Sequence, residues 1–315
     1  MTFNEYLDEF AGLPVVGFTP ETEVDEGEAL PDDRVAWAVR GDWGDESYPD
    51  LFTRFMDAVD TTRVEALVLG FWGWDDADGL GVKTLVEAAD RFPALRSVFV
   101  GDILDEEYHL SWIPHGDLTP LVEAFPSLER LEVRGCAGLN LSPFKSDTLK
   151  ALRFESGGLP AEVVRAVAAS DLPALEELDL WFGVQIYGGH AEVDDLGPIF
   201  EGVRLPSVRH LGLRNGEFQD DIAAALASAP IVARLETLAL GLGMLSDQGA
   251  ESLLAGQPLT HLKRLDLNYH YVSEPMMERL RKALPGVELD LGGARAVPAE
   301  GWEEWEGFMY VAVTE

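Results

Sequence analysis

The chain has 315 residues, 47% of them hydrophobic, enough for one large core or for two ordinary domains. Its 57 acidic and 23 basic residues give a formal charge of −34, which repels phosphate backbones and anionic lipid heads and so excludes nucleic acid and membrane surfaces as expected partners. An acidic start without a basic n-region, no apolar run near the ~20 residues that span a bilayer, and a single cysteine, Cys136, point to a soluble protein of a reducing cytoplasm.

In chain order, residues 1–60 hold 16 acids and three bases and read as an acidic N-terminal cap. Within it, residues 35–39 are expected to start a sheet. Residues 50–59 read as a helix with Leu51, Phe52, Phe55, Met56 and Val59 on its apolar side. From 61 to 291 one pattern returns: apolar, two residues, apolar, one residue, apolar. Its copies are Val64-Leu67-Leu69, Leu95-Val98-Val100, Leu128-Leu131-Val133, Leu149-Leu152-Phe154, Leu175-Leu178-Leu180, Val208-Leu211-Leu213, Leu235-Leu238-Leu240 and Leu262-Leu265-Leu267, with a reduced ninth at Leu289-Leu291. Apolar residues at period two predict a short strand with one buried face in each copy. Between them, residues 80–92, 160–170, 220–229, 246–256 and 273–284 carry helical spacing, with Ser246 and Ser273 placed to start the last two. The 21-residue interval from Leu131 to Leu152 is too short for a helix, so that unit is expected to be irregular. Strand-plus-helix units cannot bury their apolar faces alone, which implies parallel strands stacked into one solenoid domain. Residues 292–315 form a C-terminal tail whose alternation over 308–313 predicts a closing strand.

The run from Leu262 through Leu265 and Leu267 to Leu280 and Leu284, with Leu245 through Leu253 and Leu254 before it, resembles a leucine-rich repeat of the ribonuclease-inhibitor-like subclass. The whole chain is similar to a group of bacterial leucine-rich-repeat proteins of unknown role, which share residues 60–64, 154–159 and 310–313. The resemblance implies an α/β horseshoe of about nine repeats, strands on the concave face and helices on the convex one. The usual Asn or Cys three places after the last strand leucine is mostly replaced, by Trp72, Ile103, Cys136, Gly157, Gly183, Gly216, Gly243 and His270.

No HExxH, P-loop, GxSxG or CxxC motif is present, so no catalytic residue, metal ligand or cofactor is assigned. Asp76, Asp78 and Glu87 fall at calcium-loop positions, but Leu80 replaces an oxygen ligand and the loop follows a strand, so it reads as a solvated acidic loop. Asp102, Asp105, Glu106, Glu107 and His109 form a second acidic cluster without a defined ligand spacing. Cys136 reads as a buried thiol.

Residues alternating with the apolar ladder face the hollow. One row runs Glu132, Arg153, Asp179, Gly212, Ala239, Asp266, Asp290; the next runs Arg134, Glu155, Trp181, Arg214, Gly241, Asn268, Gly292. The rows predict lateral pairs Glu132–Arg153–Asp179, Arg134–Glu155 and Glu177–His210. Aromatic residues gather after the strands and are expected to form a binding rim: Phe71, Trp72 and Trp74, then Tyr108 and Trp112, then Trp181, Phe182 and Tyr187, then Tyr269, His270 and Tyr271. The expected function is a monomeric, non-enzymatic scaffold that binds a protein or peptide, one with basic residues, through Trp181, Arg214, Asp179, Arg153, His210, Tyr187, Tyr269 and His270. The alternatives are a metal-assisted enzyme built on the Asp102–His109 cluster and an architectural subunit of a larger bacterial complex.

Overall fold

In the computed structural model, which describes residues 4–23, 34–74, 79–296 and 309–314, twelve strands form one open sheet in which each strand neighbours the next in sequence. They are β1 (Glu9–Phe10), β2 (Leu13–Phe18), β3 (Ala36–Val39), β4 (Ala66–Gly70), β5 (Ser97–Asp102), β6 (Arg130–Arg134), β7 (Ala151–Glu155), β8 (Glu177–Gly183), β9 (His210–Gly216), β10 (Thr237–Ala239), β11 (Arg264–Asp266) and β12 (Glu288–Asp290). β1 turns back antiparallel on β2; every later pair is parallel. The repeat sets the register directly. Leu67, Val98, Leu131, Leu152, Leu178, Leu211, Leu238, Leu265 and Leu289 lie side by side in one row across nine strands.

The helices are α1 (Tyr48–Ala58), α2 (Leu80–Glu87), α3 (Thr119–Ala124), α4 (Ala161–Ala169), α5 (Gly197–Glu201), α6 (Gln219–Leu226), α7 (Asp247–Ala255) and α8 (Glu274–Ala283). Their apolar sides, through residues such as Phe52, Leu85, Val163, Ile222, Leu253 and Leu280, join the leucine row in one continuous apolar core. Local signals explain the starts. Ser47 Oγ accepts the Asp50 N–H to cap α1, and Ser246 accepts the Gln248 N–H to cap α7. Ser273 does not cap its own helix. Its hydroxyl donates to Asp247 Oδ2 at 2.7 Å, tying the start of α8 to the start of α7. No helix lies between β6 and β7, as the 21-residue interval requires. No helix among the described residues is long and apolar enough to cross a membrane.

Two expectations are corrected at the ends. The sheet starts at Glu9 and not at residue 35, because Leu13–Phe18 pairs in parallel with β3. Residues 309–314 do not extend the sheet as a strand. They cross the loops beyond the strand C-termini, where Val311 and Val313 are buried. The segment before β1 also folds over the sheet. Leu7 and Phe10 cover Ala36, Ala38, Ala66, Val68 and Phe99 on the face opposite the helices, a second, smaller apolar cluster.

Candidate binding surface

Beyond the alanines and valine of β3 and β4 the face opposite the helices changes character, with charges at the ends of β3 and β5 and along the outward rows from β6 onward. Those side chains form a continuous ladder of ion pairs. Arg40 Nη2 meets Asp102 Oδ2 at 2.6 Å, and Arg134 reaches Asp102 at 3.7 Å and Glu155 at 2.8 Å. Arg153 bridges Glu155 at 2.7 Å and Asp179 at 3.6 Å, and Arg214 bridges Asp179 at 3.4 Å and Asp266 at 3.2 Å. Four arginines alternate with four carboxylates from the end of β3 to β11. Parallel neighbours about 4.8 Å apart bring Arg134 to Asp102 and Glu155, and Asp179 to Arg153 and Arg214, while Arg40 and Arg214 reach across Gly70 of β4 and across β10 to Asp102 and Asp266. The first part is dry: Asp102 is fully buried and Arg40 and Arg134 nearly so. Arg153 and Arg214 keep about a third and a quarter of their side-chain surface in solvent.

Burial pushes the Asp179 carboxyl above its ordinary range, against the pull of Arg214 and Arg153. Desolvation works against the Arg153 charge, yet Glu155, Asp179, Glu132 and Glu177 around it hold its pKa above the ordinary value. The exposed members of such a ladder add little stability, about 0–1 kcal/mol per pair. Their effect is to fix the direction of each charged group.

The structure brings Arg153, Asp179, Trp181 and Arg214 together, as the rows predict, but it corrects the role of the tryptophan. Trp181 is 3% exposed and lies under the Arg153 guanidinium, 5.4 Å from its ring centre, so it is packed and is not an exposed contact. Of the predicted pairs, Arg134–Glu155 and Arg153–Asp179 form. Glu132 instead takes Arg130 of its own strand at 2.6 Å, and Glu177 takes the same Arg130 at 3.4 Å. His210 Nδ1 is 2.9 Å from Thr237 Oγ1, its register partner on β10, which corrects the expected Glu177–His210 pair.

The rim divides into exposed and buried aromatics. Trp43, Trp74 and Tyr108 run in contact, with ring centres 4.9 and 4.1 Å apart over Phe71, and the two tryptophans are exposed. Trp112 is exposed beside the half-buried Tyr187. Phe71, Trp72, Phe182 and Tyr271 are buried. His270 is also buried, a correction to its place among exposed contacts. Its Nε2 faces the Leu291 carbonyl at 3.2 Å and its Nδ1 accepts the Val272 N–H at 3.0 Å, and burial lowers its pKa. It thus does the loop-bonding work of the missing asparagine. Cys136 does the same through its thiol, which donates to the Ser111 carbonyl, and burial raises its pKa. His115, which no spacing singled out, is fully enclosed against the Arg134 carbonyl at 2.9 Å, and burial drops its pKa to about 4.

The acidic cluster around residue 102 does not assemble into a metal site. Asp102 is turned into the arginines, Glu107 accepts from the Tyr6 hydroxyl and the Leu104 N–H, and His109 lies exposed. Among the described residues no three His, Cys, Asp or Glu side chains gather as ligands. The loop holding Asp76 and Asp78 lies outside the described residues.

A solved protein from Bacteroides fragilis aligns with this chain at a TM-score of 0.72 and 32% sequence identity, over 78% of this chain and 70% of that one. An internalin from Listeria monocytogenes aligns at a TM-score of 0.37 and 11% identity, over 83% of this chain and 75% of that one. No family model matches the sequence, and no curated protein matches it.

Proposed function

The chain belongs to the same family as the Bacteroides fragilis protein, and from that premise we propose that it is a leucine-rich-repeat recognition scaffold without catalytic activity of its own. It works as a monomer in the cytoplasm and binds a protein or peptide along the concave side of a horseshoe of about nine repeats and along the loops at the strand C-termini. One observation carries this reading. Between β6 and β11 the sheet face presents charged side chains already oriented by lateral ion pairs, and Arg153 and Arg214 remain partly in solvent. A surface ordered before binding loses less side-chain entropy when a partner arrives. The acidic balance of the chain favours a partner with basic residues, so affinity falls as salt rises.

The test uses the parent and two variants as bait: the double variant Arg153→Ala/Arg214→Ala, and Arg281→Ala on α8. A partner held by the parent and by Arg281→Ala, but at least tenfold more weakly by the double variant, supports the surface. Equal affinity for all three, measured by titration of the captured partner, overturns it.

A further inference from the structure

Residues 309–314 cross the rim in the reverse order of the repeats, and most of what holds them reads main chain. The Tyr271 hydroxyl accepts the Tyr310 N–H at 2.7 Å and faces the Tyr310 carbonyl at 3.1 Å, while the Tyr269 hydroxyl reaches the Val311 carbonyl at 3.4 Å. The Ala312 N–H donates to the Leu242 carbonyl at 2.7 Å, beyond β10. Asn215, at the end of β9, uses both ends of its amide on one residue: Nδ2 donates to the Val313 carbonyl at 2.6 Å and Oδ1 accepts the Val313 N–H at 3.0 Å. Beyond it, the Ser111 hydroxyl donates to the Thr314 carbonyl.

The groove is shaped for this traffic. Asn215 sits at φ +57°, a left-handed conformation that asparagine tolerates better than most residues, and its amide is fully buried with a further bond to the Ser156 carbonyl. A Cβ on Gly157 would run into the Thr314 carbonyl and the Ser111 hydroxyl, so the glycine at that loop position clears the path. The side chains buried most deeply are Val311 and Val313, two positions apart as on an extended strand. The Tyr310 side chain points largely to solvent. Main-chain recognition with pockets for alternate side chains is the logic of strand-like peptide binding.

We propose that this rim is a peptide-binding groove for an extended segment with small β-branched side chains at alternate positions. The chain's own tail is its resident ligand in cis, and a partner protein's segment of the same chemistry takes its place. The proposal rests on the scaffold reading for the existence of a partner and adds where that partner docks and what it presents. Residues 297–308 connect the tail covalently to the repeats. The link gives the tail a high effective concentration, so a competing segment binds the parent weakly until the tail is loosened.

The experiment uses the full chain and a labelled synthetic peptide with the sequence of residues 309–315. In the variant Val311→Ser/Val313→Ser the tail loses its two anchors while the groove is untouched. The peptide is expected to bind this variant one to one and at least tenfold tighter than it binds the parent. The same peptide with serine at both valine positions is expected not to bind, and adding Asn215→Leu to the variant is expected to cost at least tenfold. A release variant that keeps its cooperative melt and ignores the peptide overturns the proposal. If the release variant no longer folds, the milder tail variant Val313→Ala in the parent decides. That variant leaves every groove side chain in place: tighter peptide binding than the parent at a retained cooperative melt supports the groove, and binding no tighter than the parent's overturns it. A parent chain that dimerises through its own tail assigns the groove to a second copy and overturns the partner reading. The variant Arg153→Ala/Arg214→Ala is expected to leave peptide binding to the release variant unchanged, so failure of the groove and failure of the sheet-face surface are told apart.

Discussion

Both ends of the chain fold back over the repeat stack, and they attach by opposite means. The N-terminal segment buries side chains: Phe10 packs edge-to-face on Phe99 with ring centres 5.8 Å apart, and Leu7 joins it over the alanines of β3 and β4. It is also pinned to the buried end of the ion-pair ladder, since the Leu7 N–H donates to Asp102 at 3.2 Å and the Arg40 guanidinium lies 4.3 Å over the Tyr6 ring. The C-terminal tail sinks two valines and is otherwise held through its main chain. The N-terminal cover fits its side chains into the smaller apolar cluster. The tail is read mainly through its main chain, with Val313 reaching the main core. Beneath the N-terminal segment the sheet face is apolar up to the buried Arg40–Asp102 pair, and from β6 onward it is charged.

The sharpest way to break the contrast is at Asp102, which the N-terminal cover and two arginines share. Asp102→Ala leaves Arg40 and Arg134 buried without their common carboxylate. Removing one partner of a buried pair costs about 3–5 kcal/mol, so the urea midpoint should fall markedly. A loss below ~1 kcal/mol would mean that water reaches the arginines. Phe10→Ala, which empties the centre of the smaller apolar cluster, is expected to cost about 3 kcal/mol and to lower Tm. If instead only the first residues lose their hydrogen-exchange protection while the melt is unchanged, the N-terminal segment is as detachable as the tail.

A pH titration probes the loop layer between the two covers. His115 is held neutral, with its pKa lowered by burial to about 4 from an ordinary value near 6.5. Above about pH 6.5 both folded and unfolded chains carry it neutral, and its contribution is complete. As pH falls toward 4 the unfolded chain takes up the proton and the folded chain does not, so stability is lost across that window, up to about 3 kcal/mol. Asp179 and Glu107, whose carboxyls are raised by burial, work in the opposite sense. The difference between parent and His115→Gln isolates the histidine: the variant's stability should fall less between pH 6.5 and 4. Parallel curves would show that His115 takes up its proton as readily in the fold as in the unfolded chain.

The repeat was legible because its cause is simple. A leucine every two or three residues in each unit leaves one register that buries all of them, so the rows across β6 to β12 followed, and with them Arg134–Glu155 and Arg153–Asp179. What was not legible depended on side-chain reach within a row. Arg130, two residues before Glu132 on the same strand, takes the carboxylate that row logic assigned to Arg153, and Thr237 takes the His210 ring nitrogen. The burial of Trp181 needed the length of Arg153 lying over it. The N-terminal strands escaped because Leu13–Phe18 contains a proline and a glycine and no helix follows in pattern. Phe10 and Phe99 lie far apart in sequence with no periodicity to link them. In the tail the alternation of Val311 and Val313 was read as a strand; the alternation is real, but its partners are loop carbonyls, hydroxyls and one asparagine amide.

The tail side of the comparison calls for smaller effects. Val313→Ala removes two buried carbons, about 1.5 kcal/mol of apolar burial. It should strip hydrogen-exchange protection from the amides of Ala312 and Val313 while leaving those of β4 and β5 intact. Global unfolding by the same substitution would make the tail core after all.

Arg281→Ala sets the floor. On paper Arg281 resembles the ladder arginines, since its Nη1 meets Glu278 at 2.6 Å and Glu274 at 3.1 Å. Those two carboxylates hold its guanidinium pKa above the ordinary value, with the Glu274 contact first among the causes. All three side chains are exposed, however, so water replaces each contact at once when the arginine is cut back. The residue also sits in the last turn of α8, where a cation meets the negative end of the helix dipole, a further small effect. The expected loss is therefore the smallest of the set, shrinking as salt screens it. If Arg281→Ala and Asp102→Ala cost the same, burial is not what separates a structural ion pair from a surface one here, and the ladder's dry end has no special hold on the N-terminal cover.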